Sequence, residues 1–161
     1  MRMTVRELIS LGTISTRDLF SIRRRKNDAS VVRAMELVGL SDLADMDIAR
    51  LSGGQRQRAV IGRALASNAE LLIFDEPLVN VDRSSRNGIL KLLDDLCHNE
   101  NKTLLMVSHD LTAIRQSAHR VIYLDGKIQF DGKTSEIPDL SGLAGLVGLE
   151  HVHKHANQEE E

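Results

Sequence analysis

Three short stretches of the 161-residue sequence carry side chains that could handle a phosphate group. The first is Ser52, Gly53, Gly54 and Gln55, at the start of a predicted helix. A helix N-terminus offers free backbone N–H groups and a partial positive charge, and glycines let an anion approach the backbone closely. The serine hydroxyl and the glutamine amide add two further donors. Taken alone, however, this stretch is explained at least as well by an ordinary serine-capped helix.

The second and third stretches each follow a short apolar run. Asp75 and Glu76 follow residues 71–74, and His109 comes shortly after residues 103–107. Such runs are typical of buried parallel strands, whose carboxyl ends form the ligand-binding edge of an open sheet. One acid there could hold Mg²⁺, the other could polarise a water for attack on a phosphoryl group, and the histidine could contact a terminal phosphate. The alternatives are helix caps or a surface turn for the acids and a structural role for the histidine.

The first third of the chain is predicted to be helical. A first helix follows Thr4, a predicted N-cap with Glu7 three residues on. A basic cluster at residues 23–26 is interpreted as a solvated loop rather than a membrane or nucleic-acid patch. Two longer helices follow, and their spacing predicts one apolar face on each, made of Val31, Val32, Met35 and Val38 and then of Val60, Ile61, Ala64 and Leu65.

After residue 70 the pattern alternates between strand and helix. The helix at residues 83–99 is expected to bury Ile89, Leu90, Leu93 and Leu96. The pair Asp125-Gly126 predicts a tight hairpin turn between two further strands. This alternation predicts an α/β layer of parallel strands with a small antiparallel edge. Residues 1–50 are therefore expected to form a helical subdomain, residues 51–138 an α/β core, and residues 139–161 a C-terminal helix with a polar tail.

The composition of the chain argues against several classes of function. The net charge is -2, only 2% of the residues are aromatic, and no apolar run is long enough to span a bilayer. Neither a basic excess nor aromatic stacking platforms are present, so nucleic acid is not an expected partner. The single cysteine, Cys97, excludes an intrachain disulfide and is expected to be a buried, small apolar residue. The tail histidines, His151, His153 and His155, either buffer Zn²⁺ or Mn²⁺ or belong to a plain polar tail.

Together, and in this order, these motifs resemble those of the ABC-type ATPases. "LSGGQRQRAVIGRALA" resembles the family's signature motif and following helix, "LLIFDEP" its Walker B strand, "VNVD" its D-loop and "VSHD" its switch-histidine loop. The resemblance covers nearly the whole chain and implies a partial P-loop NTPase fold in which the helical subdomain precedes the α/β core. "TVRELISLG" and "DLADMDIARLSGGQ" are similar to the branch that imports metals, including zinc and manganese, or metal chelates.

The resemblance implies a role for each matched residue. Asp75 would help to hold Mg²⁺, Glu76 would be the general base, and His109 would sense the γ-phosphate. Asp82 would contact a second ATPase subunit of a homo- or heterodimer. Residues 52–55 would bind the γ-phosphate of ATP held by that subunit. The family also implies a transmembrane permease as partner and a cytoplasmic, peripheral position on the inner face of the cell membrane.

One element of the family is missing from this sequence. The Walker A loop, Gly-x-x-x-x-Gly-Lys-Ser/Thr, cradles the β- and γ-phosphates. The Gly-Lys-Thr at residues 132–134 does not match it, because the motif needs a glycine where Lys127 stands. The aromatic that stacks on adenine and the glutamine loop are absent too. We therefore expect a C-terminal part of an ATPase subunit that neither binds ATP tightly nor hydrolyses it alone, with bare apolar surface at the edge of its sheet.

One other class of function stays open, and a further one is disfavoured. The chain could be a non-catalytic regulatory or interaction module that kept the scaffold of the family. A chromosome or repair ATPase of the same superfamily is disfavoured, because those proteins carry long coiled-coil insertions and no heptad run is visible here.

Overall fold

The computed structural model describes residues 2–14 and 24–137, with side chains of the second helix described from residue 29. The predicted C-terminal helix and its three histidines lie outside the described residues, as does Arg23. The chain divides into two compact units, residues 1–109 and residues 110–161. In the described part, no helix is both long and apolar enough to cross a membrane.

The first unit begins with helix α1, Val5–Ser10. Its N-terminus is a capping box, as the sequence predicts. The Thr4 hydroxyl accepts a hydrogen bond from the Glu7 N–H at 3.2 Å, and the Glu7 carboxylate accepts one from the Thr4 N–H at 2.7 Å. Val5 and Ile9 are fully buried. The side chains of Thr4 and Glu7 therefore cap the N-terminus of this short helix, and its apolar face packs into the core.

Helix α2, Arg24–Leu37, starts inside the basic cluster, so the loop prediction is wrong for residues 24–26. Gly39, two residues after the helix, has a left-handed φ of 64°, a geometry that commonly terminates helices. The predicted apolar face holds for three of its four members but is wrong for Val32, which is 42% exposed. Val32 follows the buried Val31 directly, and one residue turns a helix by about 100°, which carries the side chain away from the core.

Two short 3₁₀ helices, Ser41–Leu43 and Ile48–Arg50, lead into helix α3, Gly53–Ala66. The predicted apolar face of α3 is half right. Ile61 and Leu65 are buried, whereas Val60 is 38% exposed and Ala64 is partly exposed. The helices α1, α2 and α3 pack on one another, and the α1–α3 contact is close at Gly62, where an added Cβ would lie 3.0 Å from the Ile9 Cδ1.

Strands β1, Leu71–Asp75, and β2, Thr103–Val107, form a parallel pair in which Leu71 lies opposite Thr103 and Asp75 opposite Val107. Helix α4, Arg83–His98, makes the crossover between them and buries the four apolar residues expected from the sequence, Ile89, Leu90, Leu93 and Leu96.

The prediction that β1 and β2 are buried on both faces is wrong. Leu72 and Phe74 are buried on one face of the sheet. The opposite face exposes Leu71, Ile73, Leu105 and Val107 to between 51% and 66%. Side chains alternate between the faces of a strand, and the described helices cover only one face of this sheet. The pair thus presents the bare apolar surface that the sequence predicts.

The second unit contains helix α5, Leu111–Ser117, and an antiparallel hairpin of β3, Arg120–Asp125, and β4, Lys127–Lys133. The hairpin turns at Gly126, whose φ is 66°. Among the described strands it forms a two-stranded sheet of its own, so the predicted antiparallel edge on the parallel sheet is wrong. The turn residues specify the local pairing, whereas chain order alone says nothing about a third strand.

Candidate functional site

The signature stretch begins helix α3 with a second capping box. The Ser52 hydroxyl accepts a hydrogen bond from the Gln55 N–H at 3.2 Å, and the Gln55 Oε1 accepts one from the Ser52 N–H at 3.0 Å. Ser52 and Gly53 are exposed. The amides of Gly53 and Gly54 precede the first intrahelical hydrogen bond, which the Arg56 N–H makes to the Ser52 carbonyl. The stretch is therefore a serine-capped helix start whose first two residues are exposed to solvent.

The two glycines of this stretch lie against residues 80–85 of the same chain. Gly54 is buried, and a Cβ added to it would lie 2.5 Å from the Ser85 Oγ and closer still to the Ser85 Cβ. A Cβ added to Gly53 would lie 3.2 Å from the Asn80 carbonyl oxygen. Close packing thus requires glycine at position 54 independently of any ligand. The sequence alone does not reveal this requirement, because it depends on a contact between two helices.

Asp82 serves as the N-cap of helix α4. Its Oδ1 accepts hydrogen bonds from the Ser84 hydroxyl at 2.5 Å and from the Ser85 N–H at 2.9 Å. These bonds, the one from Ser84 first, hold the pKa of Asp82 far below its ordinary value. Asp82 is exposed, and its partner Ser85 lies against Gly54 of the signature stretch.

The second group of predicted site residues lies where β1 and β2 end. Asp75 is the last residue of β1, and the Glu76 N–H donates to the Val107 carbonyl at 2.9 Å. Because Asp75 lies opposite Val107, the residues that directly follow each strand become neighbours. Glu76 adopts a left-handed backbone with a φ of 47°, which is unusual for a residue with a long side chain.

The structure brings Glu76 and His109 into direct contact. The Glu76 Oε1 lies 2.6 Å from the His109 Nδ1 and accepts a hydrogen bond from the His109 N–H at 3.0 Å. The Ser108 hydroxyl donates to the Glu76 Oε2 at 3.4 Å. Ser108 belongs to the stretch "VSHD" that the sequence singled out directly after β2, but no role was predicted for it.

The electrostatics of this contact favour an ionised glutamate. The hydrogen bond from the His109 side chain lowers the pKa of Glu76, and partial burial opposes that effect. The Glu76 side chain is 31% exposed and that of His109 is 81% exposed, so the pair faces solvent. An ionised, accessible carboxylate can accept a proton from a water, and the histidine can contact an anion beside it.

Mg²⁺ and ATP fit these residues only in part. Asp75 is exposed, and its side chain has no hydrogen-bond or ion-pair partner within residues 2–14 and 24–137, which suits an ion that takes one or two carboxylates plus water and phosphate oxygens. The donors at residues 52–55 suit a terminal phosphate. The 161 residues contain no Walker A loop for the β- and γ-phosphates.

Cys97 takes no part in this chemistry. The expectation that Cys97 is buried is wrong, because the residue is partly exposed. Its partial burial still raises the pKa of the thiol, and the Asp94 carboxylate adds to the effect. A raised pKa keeps the sulfur protonated and unreactive.

Comparison with known proteins places these residues in a family. The family model described as "ABC transporter" matches residues 1–79. The zinc uptake system ATP-binding protein ZurA of Listeria monocytogenes is 39% identical over 133 residues, which are 83% of this chain and 52% of that protein. The ferric enterobactin transport ATP-binding protein FepC of Escherichia coli is 36% identical over 148 residues, 91% of this chain and 55% of that protein.

Solved structures agree with these relatives. The structure of a metal-chelate type ABC transporter in an inward-facing conformation superposes with a TM-score of 0.81 at 27% identity, covering 91% of this chain and 59% of that one. The chain spans about half the length of the curated relatives it matches. The signature stretch, the strand-end carboxylates and these similarities lead to one conclusion. The chain belongs to the family of ABC transporter ATP-binding subunits.

Proposed function

We propose that the chain supplies the signature side of a composite ATP site in an ABC importer of metal ions or metal chelates. The observation that carries the proposal is the exposed, capped N-terminus of α3, at Ser52 and Gly53, in a sequence with no Walker A loop. A second ATP-binding subunit holds the nucleotide, and this chain closes over its terminal phosphate.

The signature residues have the chemistry that this role needs. ATP bound to the other subunit supplies the phosphoanhydride bond. The Ser52 hydroxyl, the Gln55 amide and the amides of Gly53 and Gly54 would then donate to the γ-phosphate, aided by the positive end of α3. Asp82, exposed next to them, would contact the second subunit. Donors that are already fixed by a capping box lose little freedom on binding.

The strand-end residues would act on any phosphate brought to their own edge of the sheet. Asp75 would hold Mg²⁺, Glu76 would take a proton from the attacking water, and His109 would contact the γ-phosphate. Because the sequence lacks a cradle for the β- and γ-phosphates, we expect no hydrolysis by the chain alone.

The relatives guide the proposal about cargo and location. ZurA is a zinc uptake protein and FepC a ferric enterobactin transport protein, and both are ATP-binding components. We propose a metal ion or metal chelate as cargo, a transmembrane permease as partner, and a peripheral position on the cytoplasmic face of the membrane.

The proposal is tested by mixing the chain with an ABC ATPase subunit that has an intact Walker A loop. To keep ATP from being consumed, the partner's catalytic glutamate is replaced by glutamine. We expect light scattering to detect a complex that needs ATP and Mg²⁺, and radiolabelled ATP to bind only to the mixture. Association that ignores ATP, or micromolar ATP binding by the chain alone, would contradict the proposal.

A second candidate is a non-catalytic interaction module. Ser52 and Asp82 both cap helices, so each is explained by folding alone. Co-purification separates the two: a transmembrane permease in the complex favours transport, and a soluble protein that binds without ATP favours the module.

A further inference from the structure

Two regions of the proposed interface with the second subunit touch each other within this chain. The signature stretch starts α3, and the D-loop residue Asp82 caps α4. Ser85 lies between them. Its N–H donates to the Asp82 carboxylate at 2.9 Å, while its Cβ and hydroxyl occupy the space beside Gly54.

We propose that Ser85 is a positioning residue that fixes the signature stretch relative to Asp82, so that both meet the second subunit together. The inference rests on the proposed function, since it concerns how the same phosphate-binding surface is held. Ser85 itself need not contact ATP. It acts through Gly54 on one side and Asp82 on the other.

The geometry makes this contact specific. An alanine at position 54 would force its Cβ to within 2.5 Å of the Ser85 Oγ, a separation that real side chains do not adopt. The Ser85 Cα, in contrast, would lie 3.7 Å away, which is ordinary van der Waals contact. Gly54→Ala should therefore displace the two helix starts, and a second substitution that removes the Ser85 side chain should make room for the new methyl.

The experiment is a double-mutant cycle read by ATP-dependent association with the Walker A subunit. We expect Gly54→Ala to weaken association at least 10-fold, and Gly54→Ala/Ser85→Gly to restore it to within about threefold of the natural chain. Gly88→Ala is the matched control on the facing helix. Its new Cβ would meet only the flexible end of Arg58, at 2.6 Å from the Nη2, and association should be unchanged.

Ser85 is tested directly by two variants that both lack the hydroxyl. Ser85→Ala keeps the Cβ beside Gly54 and should associate like the natural chain within about threefold, whereas Ser85→Gly should be several-fold weaker. Asn87→Gly, at an exposed position of α4, controls for the effect of glycine on the helix. Equal association of Ser85→Ala and Ser85→Gly, or a double variant as weak as Gly54→Ala, would overturn the inference.

Thermal unfolding of the same variants separates this inference from the proposed function. If the natural chain fails to associate, the proposed function fails, yet the Tm values still report on the contact. A Tm lowered by Gly54→Ala and recovered in the double variant supports the link between α3 and α4. Additive losses of Tm in the double variant would count against it.

Discussion

The signature cluster, residues 52–55 with residues 80–85, and the Glu76–His109 pair are built in different ways. The hydrogen bonds at Ser52 and Asp82 join residues two or three positions apart. Glu76 and His109 are 33 positions apart and meet only because β1 and β2 pair in register. The first cluster therefore depends mainly on local capping and one helix contact, and the second on the sheet.

This difference predicts how each cluster fails. Local hydrogen bonds persist as long as their own helix does, whereas a pair held by a sheet is lost when the sheet opens. The sheet is also the less protected element, since one of its faces is bare. Substitutions at Phe74, Ser52, Asp82 and Glu76 should therefore affect the two clusters differently.

The largest effect is expected from Phe74→Ala in β1. Phe74 is 7% exposed, and truncating a buried phenylalanine costs about 3–5 kcal/mol of unfolding free energy. Amide hydrogen exchange should show the His109 N–H losing protection first, while the Gln55 N–H keeps its own. Phe74→Leu, a change of smaller volume, is the control. Equal loss of protection at both amides would show that the two clusters do not differ as described.

The next effect concerns Ser52 and is read by ATP-dependent association. Ser52→Asp keeps a good N-cap, so the Tm should hold, but it places a carboxylate against the γ-phosphate. Two like charges about 4 Å apart repel strongly near a protein surface, and we expect association to weaken about 100-fold or more. Ser52→Thr retains the hydroxyl and should associate normally. Unimpaired association of Ser52→Asp would exclude Ser52 from the phosphate contact.

Asp82→Ala should have a smaller effect, on stability. Losing the α4 cap is expected to lower the Tm by about 2–4 °C at pH 7. Since folding lowers the pKa of Asp82, its contribution is complete above the unfolded pKa of about 4 and falls as the pH drops below that value. The Tm difference between the two proteins should therefore shrink by pH 3. A difference that stays constant with pH would contradict the cap assignment.

The smallest effect is expected from Glu76→Gln. The pKa of Glu76 is also lowered on folding, so its stabilising effect is present at neutral pH and fades as the pH falls through the lowered value. The Tm should drop slightly at pH 7, and the Tm values of the two proteins should converge as the pH falls through the lowered pKa. A variant that is more stable at neutral pH would argue against a favourable contact with His109.

Much of this could be predicted because it depends on neighbours in the chain. The caps at Thr4 and Ser52, the crossover helix and the Asp125-Gly126 hairpin all follow from residue types at short spacing. The approach of Glu76 to His109 also followed, since parallel strands align their carboxyl ends. Periodicity failed at Val32 and Val60, where an apolar side chain lies just outside the buried face.

What could not be predicted depends on packing between elements. The apolar runs of β1 and β2 imply burial on both faces, but a pattern along one strand does not say what covers it. In the same way, the sequence predicted phosphate binding at Gly54. Its contact with Ser85 could not be predicted, because it depends on how α3 packs against α4. Asp82 suggested a partner contact, and its carboxylate proved to cap its own helix.

The backbone of Glu76 is strained, because its φ is positive. Among the described residues, the other non-glycine positions with positive φ are Asn68, Asn80 and Asn101, and asparagine tolerates that geometry far better than glutamate does. For stability alone, glycine or asparagine would be the favoured residue at position 76. We therefore expect Glu76→Gly or Glu76→Asn, unlike Glu76→Gln, to relieve this backbone strain, and either change would remove the carboxylate that contacts His109.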